Sequence, residues 1–219
     1  MVVTIDGPAG AGKSTAAKRL ASELGFRFLD TGAMYRAVTW IVLKTGTNPL
    51  DAKAVSRLAN RTQFVFEESR VLVDGQDVTT LIRTREIARN IGPIADNPEV
   101  RNLLISFQQE IGAQGNIVTE GRDQGTVVFP DAECKIFLTA SPEYRARRRV
   151  IEMERQGVPA DYPIILSEQS RRDEQDRTRA FGCLRKADDA IEIDTDDMTL
   201  DEVVERLKAE VRSVRERLT

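Results

Sequence analysis

Short apolar runs alternate along the chain with longer segments of helix-forming composition. Five runs rich in apolar and β-branched residues predict buried strands, at residues 2–6, 27–29, 116–119, 135–138 and 190–193. Segments that begin or end near serine, proline or glycine predict helices, chiefly at residues 13–24, 33–44, 98–111, 141–156, 164–179 and 200–218. This alternation favours an α/β fold, in which a five-stranded parallel sheet lies between helical layers as a three-layer sandwich.

Residues 47–97 break that alternation. Two short runs of strand-forming residues, at 63–66 and 70–73, predict a hairpin, and the Asp74-Gly75 pair after them is typical of a turn. A short helix is expected near residues 84–90. The segment is therefore predicted to be a small insertion on the α/β core, and 219 residues are enough for a single domain of this kind.

The charged residues narrow the possible chemistry. No histidine occurs in the sequence, which excludes Ser-His and Cys-His nucleophiles, histidine metal ligands and histidine general bases. Of the 32 basic residues 25 are arginine, and residues 144–186 carry a net charge of +4 although the whole chain carries −3. Because the rigid guanidinium grips phosphate oxygens two at a time, this segment predicts an anion-binding site.

The overall balance of charge and hydropathy also limits where the protein is expected to act. An acidic chain is unlike a general nucleic-acid-binding protein. No apolar run approaches the length of a membrane span, and the first residues lack a basic and apolar leader pattern. The two cysteines, Cys134 and Cys183, form no metal-binding or disulfide spacing. We therefore expect a cytoplasmic protein that binds neither membranes nor nucleic acids.

A phosphate-binding motif follows the first predicted strand. Residues 7–14 read Gly-Pro-Ala-Gly-Ala-Gly-Lys-Ser, which matches the P-loop pattern between a predicted strand and a predicted helix. The backbone N–H groups of such a loop form an anion nest at the helix N-terminus. Lys13 is predicted to reach the β- and γ-phosphates, and Ser14 to ligate Mg²⁺. The predicted ATP-binding residues are Gly7, Pro8, Ala9, Gly10, Ala11, Gly12, Lys13, Ser14 and Thr15.

P-loops serve switches, motors and kinases, and further motifs separate these classes. A GTPase switch would carry Asn-Lys-x-Asp and Asp-x-x-Gly, but the sequence contains no Asn-Lys pair and no glycine three residues after an aspartate. A motor would need a Walker B carboxylate, for which Glu120 is the only evident candidate, followed by a glycine-arginine step. A small kinase that transfers a γ-phosphoryl group to a bound acceptor is favoured.

Three further segments resemble the bacterial cytidylate kinase family. They read DTGAMYR at residues 30–36, EGRDQGTVVFPDA at 120–132 and RDEQDRTR at 172–179, and their order and spacing match the family over essentially the whole chain. The resemblance implies a nucleoside monophosphate kinase whose core comprises residues 1–46, 98–155 and 180–219. It also implies a monophosphate-binding insertion at about 47–97, a lid at about 156–178, and the reaction of ATP with CMP or dCMP to give ADP and CDP or dCDP, in pyrimidine nucleotide metabolism.

The resemblance implies roles for individual arginines. Arg36, Arg122 and Arg172 would hold the CMP phosphate. Arg148 and Arg149 would approach ATP or the transferring group from the helix that enters the lid, and Arg179 would join from the lid. The implied catalytic residues are Lys13, Arg122, Arg148, Arg149, Arg172 and Arg179. A phosphate acceptor is already an anionic nucleophile, so this chemistry requires charge neutralisation rather than a general base, in agreement with the lack of histidine.

Recognition of cytosine requires an acceptor for its exocyclic amine. A carboxylate is suited to this, and Asp123 holds the matching position, with Arg101 facing the acceptor edge of the ring. Uracil would place an oxygen against the carboxylate, so UMP is expected to be the poorer substrate. The implied substrate-binding residues are Thr31 and Tyr35 in the monophosphate pocket, Asp176 and Arg172 at the sugar hydroxyls, and Arg36, Arg101, Arg122, Asp123 and Arg179.

Four places depart from the family pattern. Gln124 stands where the family commonly has an apolar residue, which we interpret as neutral. Gly92 falls where a serine often contacts the base, which leaves room for altered selectivity. Gln175 and the segment 181–184 differ near the lid and bear on its closure.

Two alternatives stay open at the level of sequence. A kinase acting on UMP or on a small-molecule hydroxyl would share the P-loop and lid without needing Arg101 and Asp123. A nucleotide-gated binding protein would keep Lys13 and Ser14 without needing the arginines at 172–179. In each case we expect a monomer whose partners are small molecules, ATP and CMP or dCMP for the favoured kinase, with Mg²⁺ as cofactor.

Overall fold

A computed structural model of the protein describes residues 1–67, 69–155 and 157–218. Its strands are β1 (Val2–Asp6), β2 (Arg27–Asp30), β3 (Phe64–Phe66), β4 (Val71–Val73), β5 (Gln76–Asp77), β6 (Ile117–Gly121), β7 (Cys134–Thr139) and β8 (Ile191–Asp194). Its helices are α1 (Lys13–Leu24), α2 (Thr31–Lys44), α3 (Ala52–Arg61), α4 (Arg85–Asp96), α5 (Pro98–Gly112), α6 (Pro142–Arg155), α7 (Tyr162–Thr178) and α8 (Leu200–Leu218). A 3₁₀ turn at Leu81–Arg83 and a π-helical turn at Gln124–Val128 complete the described elements.

The predicted α/β sandwich is confirmed. Among the described residues, five strands form the main sheet in the order β2-β6-β1-β7-β8. β1 pairs in parallel with β6 on one side and with β7 on the other, and β7 pairs in parallel with β8. No helix of the described chain has the length and the apolar composition that crossing a membrane requires.

The chain divides into two compact units. The P-loop unit comprises residues 1–28 and the chain from residue 115 onward, and the helical unit comprises residues 29–114. Strand residues Val3, Ile5 and Ile136 are buried in the P-loop unit together with the inner face of α8. That face presents apolar residues at 204, 207, 211 and 214, a spacing of three and four that places them on one side of a helix.

The helical unit has its own core and its own small sheet. Met34 and Val38 of α2 lie in one cluster with Phe64 of β3 and Leu104 of α5. β3, β4 and β5 pair in antiparallel order, so the predicted hairpin is confirmed. Asp74 and Gly75, both with positive φ, form the predicted turn between β4 and β5.

The sequence did not predict two features of the helical unit. α3 was missed, although Asp51 caps it by accepting a hydrogen bond from the Ala54 N–H. α4 was predicted to end near residue 90, and that boundary was wrong, because the helix continues through Pro93 to Asp96. Ile87 and Ile94 are both buried and stand two turns apart on the same face. Their burial outweighs the backbone hydrogen bond that the proline removes.

The predicted lid segment falls mainly on α7. It begins at Gln156, which lies outside the described residues, and α7 covers Tyr162–Thr178. Asp161 caps the helix by accepting a hydrogen bond from the Ile164 N–H. The role of this segment as a moving lid stays a prediction.

A single buried arginine joins α7 to the P-loop and to the end of β7. Arg145, on α6, is 1% exposed. Its Nε donates to the Ala140 carbonyl at 3.0 Å, its Nη1 to the Ala9 carbonyl at 2.8 Å and its Nη2 to Asp173 Oδ2 at 2.6 Å. Gln169, one turn before Asp173, donates from its Nε2 to the backbone carbonyl of Arg145 at 3.3 Å. The guanidinium therefore fixes the P-loop backbone against α6 and α7.

Replacing Arg145 by methionine should destabilise the protein strongly. The change leaves the Asp173 carboxylate buried and unpaired, and removal of one partner of a buried ion pair costs about 3–5 kcal/mol. The free energy of unfolding, measured by urea denaturation, should fall by that amount. Arg147→Met, at an exposed position of the same helix, should change it by less than about 0.5 kcal/mol.

Combining Arg145→Met with Asp173→Leu tests the cause of that loss. The second change removes the stranded charge, so the double variant should be more stable than Arg145→Met alone. A double variant that is less stable than either single variant would show that the ion pair does not carry the effect.

Candidate active site

The P-loop connects the end of β1 to the start of α1. Gly7 has a φ of 149°, and a Cβ at this position would lie 1.9 Å from the Leu138 carbonyl oxygen, so only glycine fits here. The loop ends at Gly12, immediately before the first turn of α1. All the predicted ATP-binding residues lie in this loop and this first turn, where the backbone N–H groups of a helix N-terminus suit an anion.

Lys13 is the central cation of this loop. Its side chain is 5% exposed, and its Nζ donates to the Pro8 carbonyl at 2.7 Å. Burial lowers the pKa of Lys13 to about 7, and the positive charge of Arg122 adds to the shift. The carboxylates of Glu120 and Asp6 oppose it. The ammonium is therefore short of hydration and of negative charge, a state that a phosphate group would relieve.

Beside Lys13, two side chains that could ligate a metal ion through oxygen are hydrogen-bonded to each other. The Ser14 hydroxyl donates to Glu120 Oε1 at 2.8 Å, and Glu120 is buried near the end of β6. Glu120 is the residue that sequence reasoning singled out as a Walker B candidate. Hydroxyl and carboxylate oxygens are the ligands that Mg²⁺ prefers, and Mg²⁺ bound with a nucleotide takes only one or two from the protein. Ser14 and Glu120 together therefore fit a magnesium ion.

The predicted arginines Arg122 and Arg179 share one carboxylate. Arg122 Nε donates to Asp176 Oδ2 at 2.7 Å, and Arg179 Nη2 donates to Asp176 Oδ1 at 3.0 Å. Burial acts to raise the pKa of Asp176, but the charges of Arg122 and Arg179 outweigh it and hold the pKa below its ordinary value. Asp176 is therefore ionised at neutral pH and orients both guanidinium groups.

The other predicted arginines of this unit are placed differently. The Arg148 guanidinium lies beside the P-loop, where its Nη1 would be 3.0 Å from a Cβ at Gly12. Arg149 lies on an exposed part of the same helix and pairs with Glu152 at 3.2 Å. Arg172 is exposed on α7, yet its charge reaches Lys13 and Asp176 and affects the pKa of each. The structure thus brings Arg148 to the P-loop and places Arg149 with Glu152.

Asp123 stands at the start of a turn that we name the recognition turn, residues 122–128. Its carbonyl accepts hydrogen bonds from the N–H groups of Val127 and Val128, at 2.9 and 3.2 Å. Gln124, interpreted from sequence as neutral, is buried and accepts a hydrogen bond from the Thr119 hydroxyl at 2.9 Å. The turn is therefore held by its own backbone and by β6.

Asp6 also holds the recognition turn, and sequence reasoning missed it. Its carboxylate accepts hydrogen bonds from the backbone N–H groups of Gln124 and Gly125. Burial raises the pKa of Asp6 to about 7, and the two backbone hydrogen bonds act against that rise. The available signal was a charged residue at the end of an otherwise apolar strand.

The helical unit contains the remaining predicted substrate residues. Thr31, Tyr35 and Arg36 lie in the first two turns of α2, whose cap Asp30 accepts a hydrogen bond from the Ala33 N–H at 2.9 Å. Tyr35 lies under the guanidinium of the buried Arg101, with 5.6 Å between the arginine carbon and the ring centre. Arg101 is fixed by a hydrogen bond from its Nη1 to the Ala95 carbonyl at 3.2 Å.

Asp30 also binds an arginine that the sequence did not single out. Its carboxylate lies 3.1 Å from Arg83 and 3.9 Å from Arg36. These two basic side chains therefore converge on the N-terminus of α2. The roles predicted for Thr31, Tyr35, Arg36 and Arg101 in CMP binding stay predictions.

Comparison with known proteins shows which family the chain belongs to. The sequence model of the family described as cytidylate kinase matches residues 3–213. A cytidylate kinase of Rhodopirellula baltica is 50% identical over 212 residues, which cover 97% of this chain and 93% of that protein. A bifunctional pantoate ligase/cytidylate kinase of Trichodesmium erythraeum is 46% identical over 213 residues, which cover 94% of this chain and 40% of that longer protein.

A solved structure with much lower identity shares the fold. A crystal structure of an uncharacterized protein from Eubacterium ventriosum superposes with a TM-score of 0.52 and 13% identity, covering 97% of this chain and 99% of that one. That likeness bears on the fold alone. The sequence match over residues 3–213, and the 50% identity to a relative of similar length, show that the chain belongs to the cytidylate kinase family.

Proposed function

We propose that this protein transfers the γ-phosphoryl group of ATP to CMP or dCMP, giving ADP and CDP or dCDP. This is the activity that gives its family its name. The observation that carries the proposal is a pair of ordered cations at neighbouring strand ends. Lys13 of the P-loop after β1 is buried with its Nζ on the Pro8 carbonyl, and Arg122 follows β6, the strand paired with β1, and is held by Asp176. A phosphate-binding cation next to a second, ordered cation suits a reaction between two phosphate groups.

The site neutralises charge and needs no proton acceptor. The acceptor oxygen belongs to a phosphate that is already anionic near neutral pH, so a general base is unnecessary. What opposes the reaction is the repulsion between two polyanions and the charge on the group in transfer. Lys13, Arg122 and Arg148 would offset that charge. Arg179, oriented with Arg122 by Asp176, would add to it.

Mg²⁺ would be held by Ser14 and Glu120, together with the nucleotide's own phosphate oxygens. When bound, the ion would neutralise the β- and γ-phosphate oxygens of ATP. In that state the Ser14 hydroxyl would turn its oxygen lone pairs to the metal. Glu120, adjacent in space, would supply a carboxylate oxygen beside the Ser14 hydroxyl.

Base selectivity would come from Asp123. Its buried carboxylate is an acceptor that the exocyclic amine of cytosine can satisfy and that the O4 of uracil cannot. Uracil would place its O4 oxygen against this carboxylate, and two acceptors that face each other repel, so CMP should be preferred to UMP. The proposal covers both CMP and dCMP, and Asp176 and Arg172 would contact the sugar hydroxyls.

Several finer expectations belong to the same proposal. The insertion at 47–97 would bind the monophosphate, and the segment 156–178 would close as a lid that excludes water. Thr31, Tyr35, Arg36 and Arg101 would contact CMP. The protein would act as a monomer in the cytoplasm.

A coupled ADP-release assay tests the activity. The protein is mixed with ATP and Mg²⁺, and the acceptors CMP, dCMP, UMP and AMP are compared with buffer alone. We expect rapid release with CMP and dCMP, slow release with UMP and background release with buffer. Equal release in all five mixtures would indicate an ATPase, and ATP binding without release would indicate a nucleotide-gated binding protein.

Replacing Lys13 by alanine should remove turnover and leave the fold intact. Loss of one preorganised cation at a transferring phosphoryl group should lower kcat about 10²–10³-fold. Lys18→Ala, on the exposed face of the same helix, is the matched control and should keep normal turnover. Normal turnover in Lys13→Ala, with an unchanged melting temperature, would reject the role of the P-loop.

Replacing Asp123 by alanine should weaken CMP binding selectively. Loss of a charged hydrogen bond to the base should raise KM for CMP about 10- to 100-fold and leave KM for ATP nearly unchanged. Asp131→Ala, exposed in the same segment, should change neither constant. If Asp123→Ala raised both constants equally, Asp123 would be structural and not a recognition residue.

A further inference from the structure

We infer that Asp6 is a positioning residue that sets base selectivity by holding the recognition turn, and with it Asp123, against β1. The inference rests on the proposed function, in which Asp123 reads the base. Asp6 itself contacts backbone only in this role. It acts through the turn, so its replacement should alter the choice of base without removing any group that touches the base.

The contact is a pair of hydrogen bonds to consecutive backbone N–H groups. Asp6 is the last residue of β1 and is 4% exposed. Its Oδ1 accepts from the Gln124 N–H at 2.9 Å, and its Oδ2 accepts from the Gly125 N–H at 2.7 Å. Two oxygens on two successive N–H groups fix both the position and the orientation of the backbone directly after Asp123.

The turn requires this external acceptor. The N–H groups that open a helical turn have no carbonyl of the same turn to bind. The carbonyl of Asp123 accepts from Val127 and Val128, and the carbonyl of Gln124 accepts from Phe129, so the N–H groups of these last three residues are satisfied within the turn. Asp6 supplies the acceptors for the first two. Burying a carboxylate at the end of a strand costs free energy, and these two hydrogen bonds offset that cost.

Close approach between the turn and β1 makes the arrangement possible. A Cβ at Gly125 would lie 2.9 Å from the Thr4 hydroxyl oxygen and 3.4 Å from Asp6 Oδ2. Glycine at 125 therefore allows the turn to reach the carboxylate. The Thr4 hydroxyl oxygen is buried and makes no hydrogen bond within the described residues, so it limits the space without holding the turn.

The ratio of kcat/KM for CMP to kcat/KM for UMP separates the effect of Asp6 on base selectivity from its effect on ATP. Asp6 also lies near Lys13, and its charge contributes to the pKa of that lysine, so variants at Asp6 are expected to affect ATP as well. An effect on ATP changes the rates with CMP and UMP alike. It cancels when kcat/KM for CMP is divided by kcat/KM for UMP at one fixed ATP concentration. A displaced Asp123 changes that quotient.

The first test replaces the carboxylate by an amide. In Asp6→Asn one N–H of the turn would face the amide NH₂ and lose its acceptor, so the turn should shift. We expect the CMP/UMP quotient to fall at least about tenfold, the effect of losing one hydrogen bond to a charged group. Thr4→Ala, at a buried position of the same strand, is the control and should leave the quotient unchanged.

The second test moves the turn without changing any charge. Gly125→Ala places a methyl group against the Thr4 hydroxyl, so it should also lower the quotient about tenfold. Adding Thr4→Ala to Gly125→Ala removes the obstructing oxygen and should restore most of the selectivity. This pair decides the question even if Asp6→Asn does not fold.

The possible results distinguish a failure of this inference from a failure of the proposed function. If the wild-type protein releases no ADP with CMP, the proposed function fails and the inference fails with it. If the wild-type protein prefers CMP, but folded Asp6→Asn and Gly125→Ala both keep its quotient, the inference alone is overturned. Melting temperatures and circular dichroism spectra establish that each variant is folded before its kinetics are compared.

Discussion

The removal of the Lys13 ammonium from water is the constraint on which the rest of the P-loop unit depends. The loop buries this cation at the end of β1, where the Pro8 carbonyl accepts its hydrogen bond. Asp6 and Glu120 compensate part of the missing hydration, and Arg122 works against them. The site therefore keeps a positive electrostatic potential that its own carboxylates do not neutralise. A bound phosphate would neutralise it.

The neighbouring charges have two distinct uses. Arg145 is buried and fully committed to the carbonyls of Ala9 and Ala140 and to Asp173, so it fixes the loop's backbone and is not available to a ligand. Arg122 is also held by a carboxylate, that of Asp176, but its side chain is 18% exposed and faces a partner on α7. Preorganised guanidinium groups of this second kind lose little entropy when a phosphate binds.

Local pattern was enough to predict the individual strands of the sheet, the hairpin and the P-loop, because each of these is signalled by residues that are close in sequence. The contacts that tertiary packing creates were missed. Arg145 and Asp173 are 28 residues apart, and Asp6 and Gln124 are 118 apart, so no spacing rule connects them. α4 continues past Pro93 because its buried face, and not its propensity, decides where it ends. Arg148 lies beside the P-loop while Arg149 pairs with Glu152, as expected for neighbouring helical residues that point about 100° apart, and the catalytic role of Arg149 stays a prediction.

The pKa of Lys13 tests the account most directly. It can be followed by the chemical shift of the lysine ε-carbon in ¹³C-labelled protein, with Lys13→Ala protein to assign the signal. We expect a pKa of about 7 in the free protein and a clear rise when ATP binds, because the phosphates favour the charged form. A pKa at the ordinary lysine value of 10.5 in the free protein, unchanged by ATP, would contradict the account.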